Sequence, residues 1–252
     1  MADVLKVSGL NKRFGGIVVA DNIDLSLVKG RVLGLIGPNG AGKTSFFNLV
    51  CGVVKPDSGS IRLAGQEING LPIRSRARMG LARTWQNLRL FASLSVLDNL
   101  MLGPQAYSAD NILDLILRPG HVASAEKAAR EKAFSILERT GLADIAHQPI
   151  RDITFGQQKL VGVARALMND AQCLLLDEPM AGVEGQAYAL IQKAVREIAA
   201  SGVAICVVEH NVAFIRDLCD EGVFMFAGKV LARGSVEALI ADPQLTELYF
   251  GT

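Results

Sequence analysis

Residues 37–44 read Gly-Pro-Asn-Gly-Ala-Gly-Lys-Thr, and the predicted fold follows from this motif. It matches the pattern GxxxxGK[ST], in which glycines let successive backbone N–H groups approach the oxygens of a bound phosphate. The apolar run RVLGLIG before it predicts a strand, and SFFNLVCGVV after it predicts a helix. A helix that begins directly after the loop adds a positive end suited to an anion. The stretch therefore predicts a phosphate-binding loop between a strand and a helix.

The residues of this loop have separate expected tasks. Lys43 is expected to reach the β- and γ-phosphates of a nucleotide, and the Thr44 hydroxyl is expected to ligate Mg²⁺. A chance match to the pattern is the alternative, and the strand and helix on either side argue against it. The predicted nucleotide-binding set of the loop is Gly37, Pro38, Asn39, Gly40, Ala41, Gly42, Lys43, Thr44 and Ser45.

A second polar group follows a buried strand later in the chain. Residues 174–179 read LLLDEP, so the apolar run delivers Asp177 and Glu178 to the end of a strand. Asp177 is expected to join the Mg²⁺ shell through water, and Glu178 is the candidate general base for an attacking water. Two acidic residues after a strand can also simply cap the next helix. Taken together with the phosphate loop, the pair favours catalysis.

The order of the predicted elements gives the fold class. Residues 4–36 alternate as short antiparallel strands, whereas the later apolar strands alternate with helices, which is typical of a parallel sheet covered on both faces. A helical block separates the first two parallel strands and includes a helix from about Ser124 to Gly141. We expect an α/β fold: a P-loop NTPase (RecA-like) core with an N-terminal antiparallel β subdomain and an inserted helical subdomain. The core takes about residues 1–90 and 170–252, and the helical subdomain about 91–169.

Composition limits the classes of function. The chain has 252 residues, with 26 Lys+Arg against 25 Asp+Glu, so a generally basic nucleic-acid binder is not expected. Its four cysteines lack CxxC spacing and are expected to be buried apolar residues rather than metal ligands. No run of 18 apolar residues predicts a membrane span, and the first residues do not have a signal-peptide pattern. The mean hydropathy of +0.30 suggests buried parallel strands and a surface covered by a partner.

Five arginines form a basic stretch between residues 74 and 89. A solvated face is the favoured interpretation, and contact with anionic headgroups or with acidic loops of a membrane partner is the alternative. These residues are Arg74, Arg76, Arg78, Arg83 and Arg89.

The segment Thr154-Phe155-Gly156-Gln157-Gln158 begins an amphipathic helix. Thr154 can cap this helix, and Gly156 permits close approach of a backbone. The helix N-terminus is suited to an anion. From the residues alone, an ordinary helix start is the favoured interpretation.

The order of these motifs resembles that of an ABC-transporter ATPase. The sequence presents GPNGAGKT, then Gln86, then TFGQQ, then LLLDEP, then His210, and the resemblance covers essentially the whole chain. It implies ATP as the bound nucleotide, with Mg²⁺, and a second binding surface for ATP at the family's signature motif. That surface would use Thr154, Gly156 and Gln157. Phe155 stands where the family has a glycine.

The same resemblance implies roles for three further residues. Gln86 would join the Mg²⁺ and water shell and sense the membrane partner, although alone it is a plain polar loop residue. His210 would hydrogen-bond the γ-phosphate and position the water, whereas a lone histidine at a strand end is more often merely exposed. Phe14 would stack on adenine, and core packing is an equal alternative for it. Glu184 stands where the wider family prefers Asp in the loop that communicates across the dimer.

Subfamily features resemble the LivG-type ATPases of branched-chain amino-acid importers. ARTWQNLRLF at residues 82–91 is the clearest of them, and the aromatic Phe155 is another. The resemblance implies a second ABC ATPase subunit, as a paralogue or a second copy, two integral permeases, and indirectly a periplasmic or extracellular substrate-binding protein. The chain would lie peripherally on the cytoplasmic face of the inner membrane. The cargo would be leucine, isoleucine, valine or a related small amide or carboxylate.

Other classes of function are kept as alternatives. A soluble ABC ATPase acting on ribosomes usually carries two cassettes, and one acting on DNA carries long coiled-coil inserts. A P-loop kinase or GTPase gives no reason for TFGQQ or His210. A regulatory module without turnover would not need the intact Glu178.

Overall fold

The computed structural model describes residues 3–84, 88–103, 119–183 and 185–250. By their contacts the residues divide into two compact units. The first unit comprises residues 1–86, 171–181 and 195–252, and the second comprises residues 87–170 and 182–194. All the named strands belong to the first unit, and the second is helical in the part that is described.

Among the described residues of the first unit, ten strands form two sheets. One is antiparallel, in the order β2-β1-β4-β5, and the other has six strands in the order β10-β9-β3-β8-β7-β6. In the second sheet only the β9–β10 pair is antiparallel. The strands are β1 (Asp3–Phe14), β2 (Ile17–Val28), β3 (Val32–Ile36), β4 (Ser58–Leu63), β5 (Gln66–Glu67), β6 (Leu81–Arg83), β7 (Cys173–Asp177), β8 (Ala204–Val208), β9 (Glu221–Phe226) and β10 (Lys229–Gly234).

The named α-helices divide between the two units. The first unit holds α1 (Lys43–Cys51), α2 (Ile73–Arg78), α7 (Val212–Leu218), α8 (Val236–Ala241) and α9 (Pro243–Phe250). The second holds α3 (Val96–Met101), α4 (Pro119–Arg139), α5 (Phe155–Leu167) and the first part of α6 (Gln186–Ala200). Within the described ranges, no helix combines the length and the apolar character needed to cross a bilayer.

The three central strands explain why the six-stranded sheet is parallel. Every residue of β3, β7 and β8 is buried, which matches their continuous apolar runs. β8 lies between β3 and β7 and is parallel to both. The carboxyl ends of all three therefore meet at one sheet edge, where ligands bind in open parallel sheets.

Several local predictions are confirmed. The α/β class, the β9–β10 hairpin and the two short C-terminal helices are present. The four cysteines are buried and form no disulfide. The predicted start at Ser124 is wrong, because residues 119–123 already belong to α4. Gly141 follows the end of that helix with φ +69°, as expected of a residue that ends it.

The solvated-face interpretation of the arginines is wrong for Arg76. This side chain is 2% exposed, and burial lowers its pKa. Its guanidinium donates to the carbonyls of Leu49 and Val50 in the last turn of α1, at 3.0 and 2.7 Å. Further bonds of 2.9 Å reach Leu71 and Asn69. Arg76 thus caps the carboxyl end of the helix that follows the phosphate loop, a place that requires hydrogen-bond donors.

We expect Arg76→Met to lower the free energy of unfolding by about 2–4 kcal/mol, because it removes hydrogen-bond donors from the carbonyls of Leu49 and Val50 at the buried end of α1. The midpoint of thermal unfolding should fall by roughly 5–12 °C in a chain of this size. Arg78→Met, at an exposed residue of α2, is the control and should shift the midpoint by no more than ~2 °C. Equal midpoints for the two variants would contradict the capping role of Arg76.

Candidate functional site

The phosphate loop follows β3, and its shape requires glycine at two points. Gly37 has φ +153°, and a Cβ placed there would lie 2.1 Å from the carbonyl oxygen of Met225. Gly42 has φ +103°, and its Cβ would lie 2.6 Å from the carbonyl oxygen of Val19. Both contacts are with backbone, so neither can yield easily. The glycines let the loop run tightly against its neighbours and enter α1 at Lys43.

Lys43 holds the loop together from inside. Its side chain is buried and Nζ donates to the carbonyls of Gly37 and Pro38, at 2.6 and 2.9 Å. Burial lowers the pKa of this ammonium group, and the carboxylates of Glu178 and Asp177 act in the opposite direction. The loop therefore encloses a positive charge at the N-terminus of α1, which is the electrostatic arrangement that binds phosphate.

An open cleft of about 280 Å³ lies over the loop. It brings together most of the residues predicted from the sequence and adds Val19, which no motif indicated. Gly37 and Pro38 belong to the same loop but do not line the cleft. The lining residues are Val19, Asn39, Gly40, Ala41, Gly42, Lys43, Thr44, Ser45, Glu178 and His210.

Glu178 and His210 meet at the wall of this cleft. Glu178 Oε1 lies 3.0 Å from His210 Nε2. Glu178 has φ +48°, an uncommon conformation for a residue with a side chain, and its N–H donates to the carbonyl of Val208 at 2.9 Å. Strained backbone of this kind persists where the surrounding structure fixes it, often at functional sites. The carboxylate and the imidazole are thus held together beside the phosphate loop.

Asp177 is buried at the end of β7 and pairs with Arg83. Arg83 Nη2 lies 2.6 Å from Asp177 Oδ2, and Nη1 donates to Asn48 Oδ1 at 2.7 Å. The arginine side chain is 4% exposed, so the solvated-face interpretation is wrong for it as well. Its place on β6, next to β7 in the sheet, was the available signal. Arg83 fixes the direction of the Asp177 carboxylate and links it to α1.

The predicted signature residues form a capped helix start in the second unit. Thr154 Oγ1 accepts from the N–H of Gln157 at 3.3 Å, and Gln157 Oε1 accepts from the N–H of Thr154 at 2.9 Å. This is a capping box. A Cβ on Gly156 would lie 2.4 Å from Cβ of Ala187, so close packing requires this glycine. Phe155 is half exposed. A ligand role for Thr154, Gly156 and Gln157 stays a prediction.

The remaining predicted residues do not line the cleft or are not among the described residues. Phe14 is 50% exposed and Lys12 Nζ lies 5.2 Å from its ring centre, so the core-packing alternative is wrong. Stacking of Phe14 on adenine stays a prediction. Gln86 and Glu184 lie outside the described residues.

Sequence reasoning missed one buried acid beside the site. Glu209 directly follows β8 and is 4% exposed. The signal was a carboxylate placed at the end of the apolar run VAICVV, where a solvated residue is the ordinary expectation.

Comparisons with known proteins agree with this geometry. Residues 20–181 match the family model described as ABC transporter. Over 249 residues the chain is 33% identical to the high-affinity branched-chain amino acid transport ATP-binding protein BraF of Pseudomonas aeruginosa, covering 98% of both chains. It is 32% identical to the corresponding protein LivG of Escherichia coli, again over 98% of both. A crystal structure of the ADP conformation of an ATP-binding cassette of an ABC transporter matches all of both chains, with a TM-score of 0.85 and 28% identity.

We expect Lys43→Ala to weaken ADP binding by roughly 10- to 100-fold, since it removes a charge-assisted hydrogen bond to phosphate. Calorimetric titration of ADP measures this affinity. Lys55→Ala, which removes an exposed lysine, is the control and should leave the affinity within about twofold. Equal affinity in the Lys43 variant and the wild type would contradict the phosphate-loop assignment.

Proposed function

This chain belongs to the ABC transporter family, as an ATPase cassette that couples ATP hydrolysis to transport, and we propose that it serves an importer of branched-chain amino acids. Related small amides or carboxylates fall within the same proposal. The observation that carries the hydrolytic part is the 3.0 Å contact between Glu178 and His210 at the wall of the phosphate-loop cleft. It joins a candidate base and a candidate positioning group at the place where the terminal phosphate would lie.

The proposed chemistry is in-line attack of water on the γ-phosphate of ATP. Glu178 takes a proton from the attacking water while the water oxygen bonds to phosphorus. The bond between phosphorus and the ADP oxygen breaks. His210 contacts Glu178 through Nε2 and, with ATP bound, would hydrogen-bond the γ-phosphate and position the water. Lys43 and the backbone N–H groups of the loop hold the phosphates and balance the developing charge.

The donor set also fits Mg²⁺. The Thr44 side chain is exposed in the cleft at the start of α1, and Asp177 is a carboxylate whose direction Arg83 fixes. Hydroxyl, carboxylate and phosphate oxygens are the ligands that Mg²⁺ prefers. When bound, the ion would neutralise charge on the phosphates. Thr44 would hold it directly and Asp177 through water, with Gln86 completing the shell.

We place the second ATP-binding surface at the N-terminus of α5. Thr154, Gly156 and Gln157 would contact the ATP held by the phosphate loop of another ABC subunit, either a paralogue or a second copy. The helix has 13 residues and begins at Phe155, so its N-terminal N–H groups and dipole suit an anion. ATP bound between two such subunits would hold them together, and hydrolysis would release them.

The proposal of an importer rests on kinship over nearly the whole chain. BraF and LivG, both named as branched-chain amino acid transport ATP-binding proteins, share 33% and 32% identity with 98% coverage. Two integral permeases and, through them, a substrate-binding protein would complete the assembly. The chain would then lie on the cytoplasmic face of the membrane. Such an ATPase has no contact with the cargo, so partners must identify it.

We expect Glu178→Gln to keep ATP binding and to lower turnover by ~10²-fold or more, because the amide cannot accept the proton. Phosphate release under saturating ATP measures turnover, and calorimetry measures binding. Glu67→Gln, at an exposed glutamate on β5, is the control and should keep full turnover. Normal turnover in the Glu178 variant would remove it from the role of base.

We expect a gentle detergent pull-down of the tagged chain to recover two permeases and a second cassette ATPase, identified by mass spectrometry. Uptake of radiolabelled leucine by vesicles that contain the recovered complex should then depend on internal ATP. Recovery of ribosomes or DNA-bound proteins without a permease would contradict the importer and favour a soluble ABC ATPase. Recovery of permeases without leucine, isoleucine or valine uptake would contradict the cargo alone.

A further inference from the structure

Glu209 is a carboxylate placed where water cannot solvate it. Glu209 is 4% exposed and lies one position after the fully buried strand β8. Burying a carboxylate is costly unless hydrogen bonds replace its hydration. The apolar run that ends in this acid gives no packing reason for a charged side chain. Hydrogen bonds from neighbouring residues must therefore replace the hydration of this carboxylate.

The Glu209 carboxylate accepts hydrogen bonds from two different loops. Oε1 accepts from the N–H of Met180 at 2.6 Å, and Oε2 accepts from the N–H of His210 at 3.0 Å. A further bond comes from the N–H of Asn211. Burial raises the pKa of Glu209, the nearby Glu178 charge raises it further, and the three N–H donors oppose this.

The two loops are those that carry the reacting pair. Met180 lies two residues after Glu178, and His210 contributes its own backbone N–H. One carboxylate thus joins the segment that follows the candidate base to the segment that carries the histidine. On the other side of His210, Tyr249 Oη of α9 donates to the His210 carbonyl at 3.2 Å. The His210 backbone is therefore held at both its N–H and its C=O.

We propose that Glu209 is a positioning residue, whose carboxylate fastens the Glu178 loop to the His210 loop and so sets the 3.0 Å contact between their side chains. The inference rests on the proposed roles of Glu178 and His210. A carboxylate suits this task because it offers two acceptor oxygens and no donor. A glutamine would direct an NH₂ group at one of the N–H donors.

We expect Glu209→Gln to lower kcat for ATP hydrolysis by roughly 10- to 100-fold while the KM for ATP stays within about twofold. Small displacements of reacting groups have effects of this size. Asp220→Asn is the matched control, since Asp220 Oδ2 accepts the N–H of Val32 at 2.8 Å, at the opposite ends of the parallel strands. Asp220→Asn also removes a carboxylate that accepts a backbone N–H, so it should lower thermal stability and leave kcat unchanged.

A spectroscopic readout separates positioning from loss of stability. The chain has three histidines, and ring-¹⁵N labelling with His210→Gln identifies the His210 signals. Glu178→Gln should move these signals by replacing the carboxylate at Nε2 with a neutral amide. We expect Glu209→Gln to move them in the same direction, although its side chain bonds only the backbone of that residue.

If Glu209→Gln does not fold, Glu209→Asp replaces it. The shorter side chain keeps the charge but cannot span both loops, so we expect an intermediate loss of kcat. A wild-type kcat together with unmoved His210 signals in a folded Glu209 variant would overturn the inference, as would an equal loss of kcat in Asp220→Asn. Full turnover in Glu178→Gln would instead contradict the proposed function.

Discussion

Three parallel strands end together at one edge of the six-stranded sheet, and the site exists because of that coincidence. β3, β8 and β7 are buried along their whole length, so their apolar side chains fix their neighbours and register. Each strand then delivers one polar element: the phosphate loop after Ile36, His210 after β8, and Asp177 with Glu178 at the end of β7. A slip of one residue in any strand would turn its polar end away from the cleft.

Charges gathered at this edge would be costly without partners. Lys43 lies in a cage of loop carbonyls, Asp177 pairs with Arg83, and Glu209 accepts backbone N–H groups. Each bond both compensates for lost hydration and fixes a direction. The same contacts thus preorganise the site and replace the hydration of its charges. A variant that removes one partner therefore affects both the stability of the fold and the geometry of the site.

Functional groups that are adjacent in the sequence could be predicted from it. Side chains whose partners are backbone groups far along the chain could not. The phosphate loop, Asp177 and Glu178 were predictable because a strand places adjacent residues at one edge. Arg76 and Glu209 were not, since their partners are carbonyls and N–H groups up to 29 positions away, and no side-chain pattern marks these. Gly156 is similar, because its need for a glycine arises from Ala187, far along the chain. The start predicted at Ser124 failed because a residue type suited to capping does not prevent a helix from running through it, and Ser124 lies inside α4.

The capping box at Thr154 bears on how a composite ATP site would work. In the single chain Thr154 and Gln157 satisfy each other, so the helix start is stable without a ligand. A cap satisfies only some of the orphan N–H groups of a helix, and the positive end of the dipole remains. An arriving phosphate must therefore compete with an existing internal bond for the Thr154 hydroxyl. Its gain would come mainly from the backbone and the dipole, and association would then depend on nucleotide through mass action. Such a surface would bind strongly only when a complete phosphate loop already held the anion opposite it, which would tie the association of two subunits to the γ-phosphate that hydrolysis splits off.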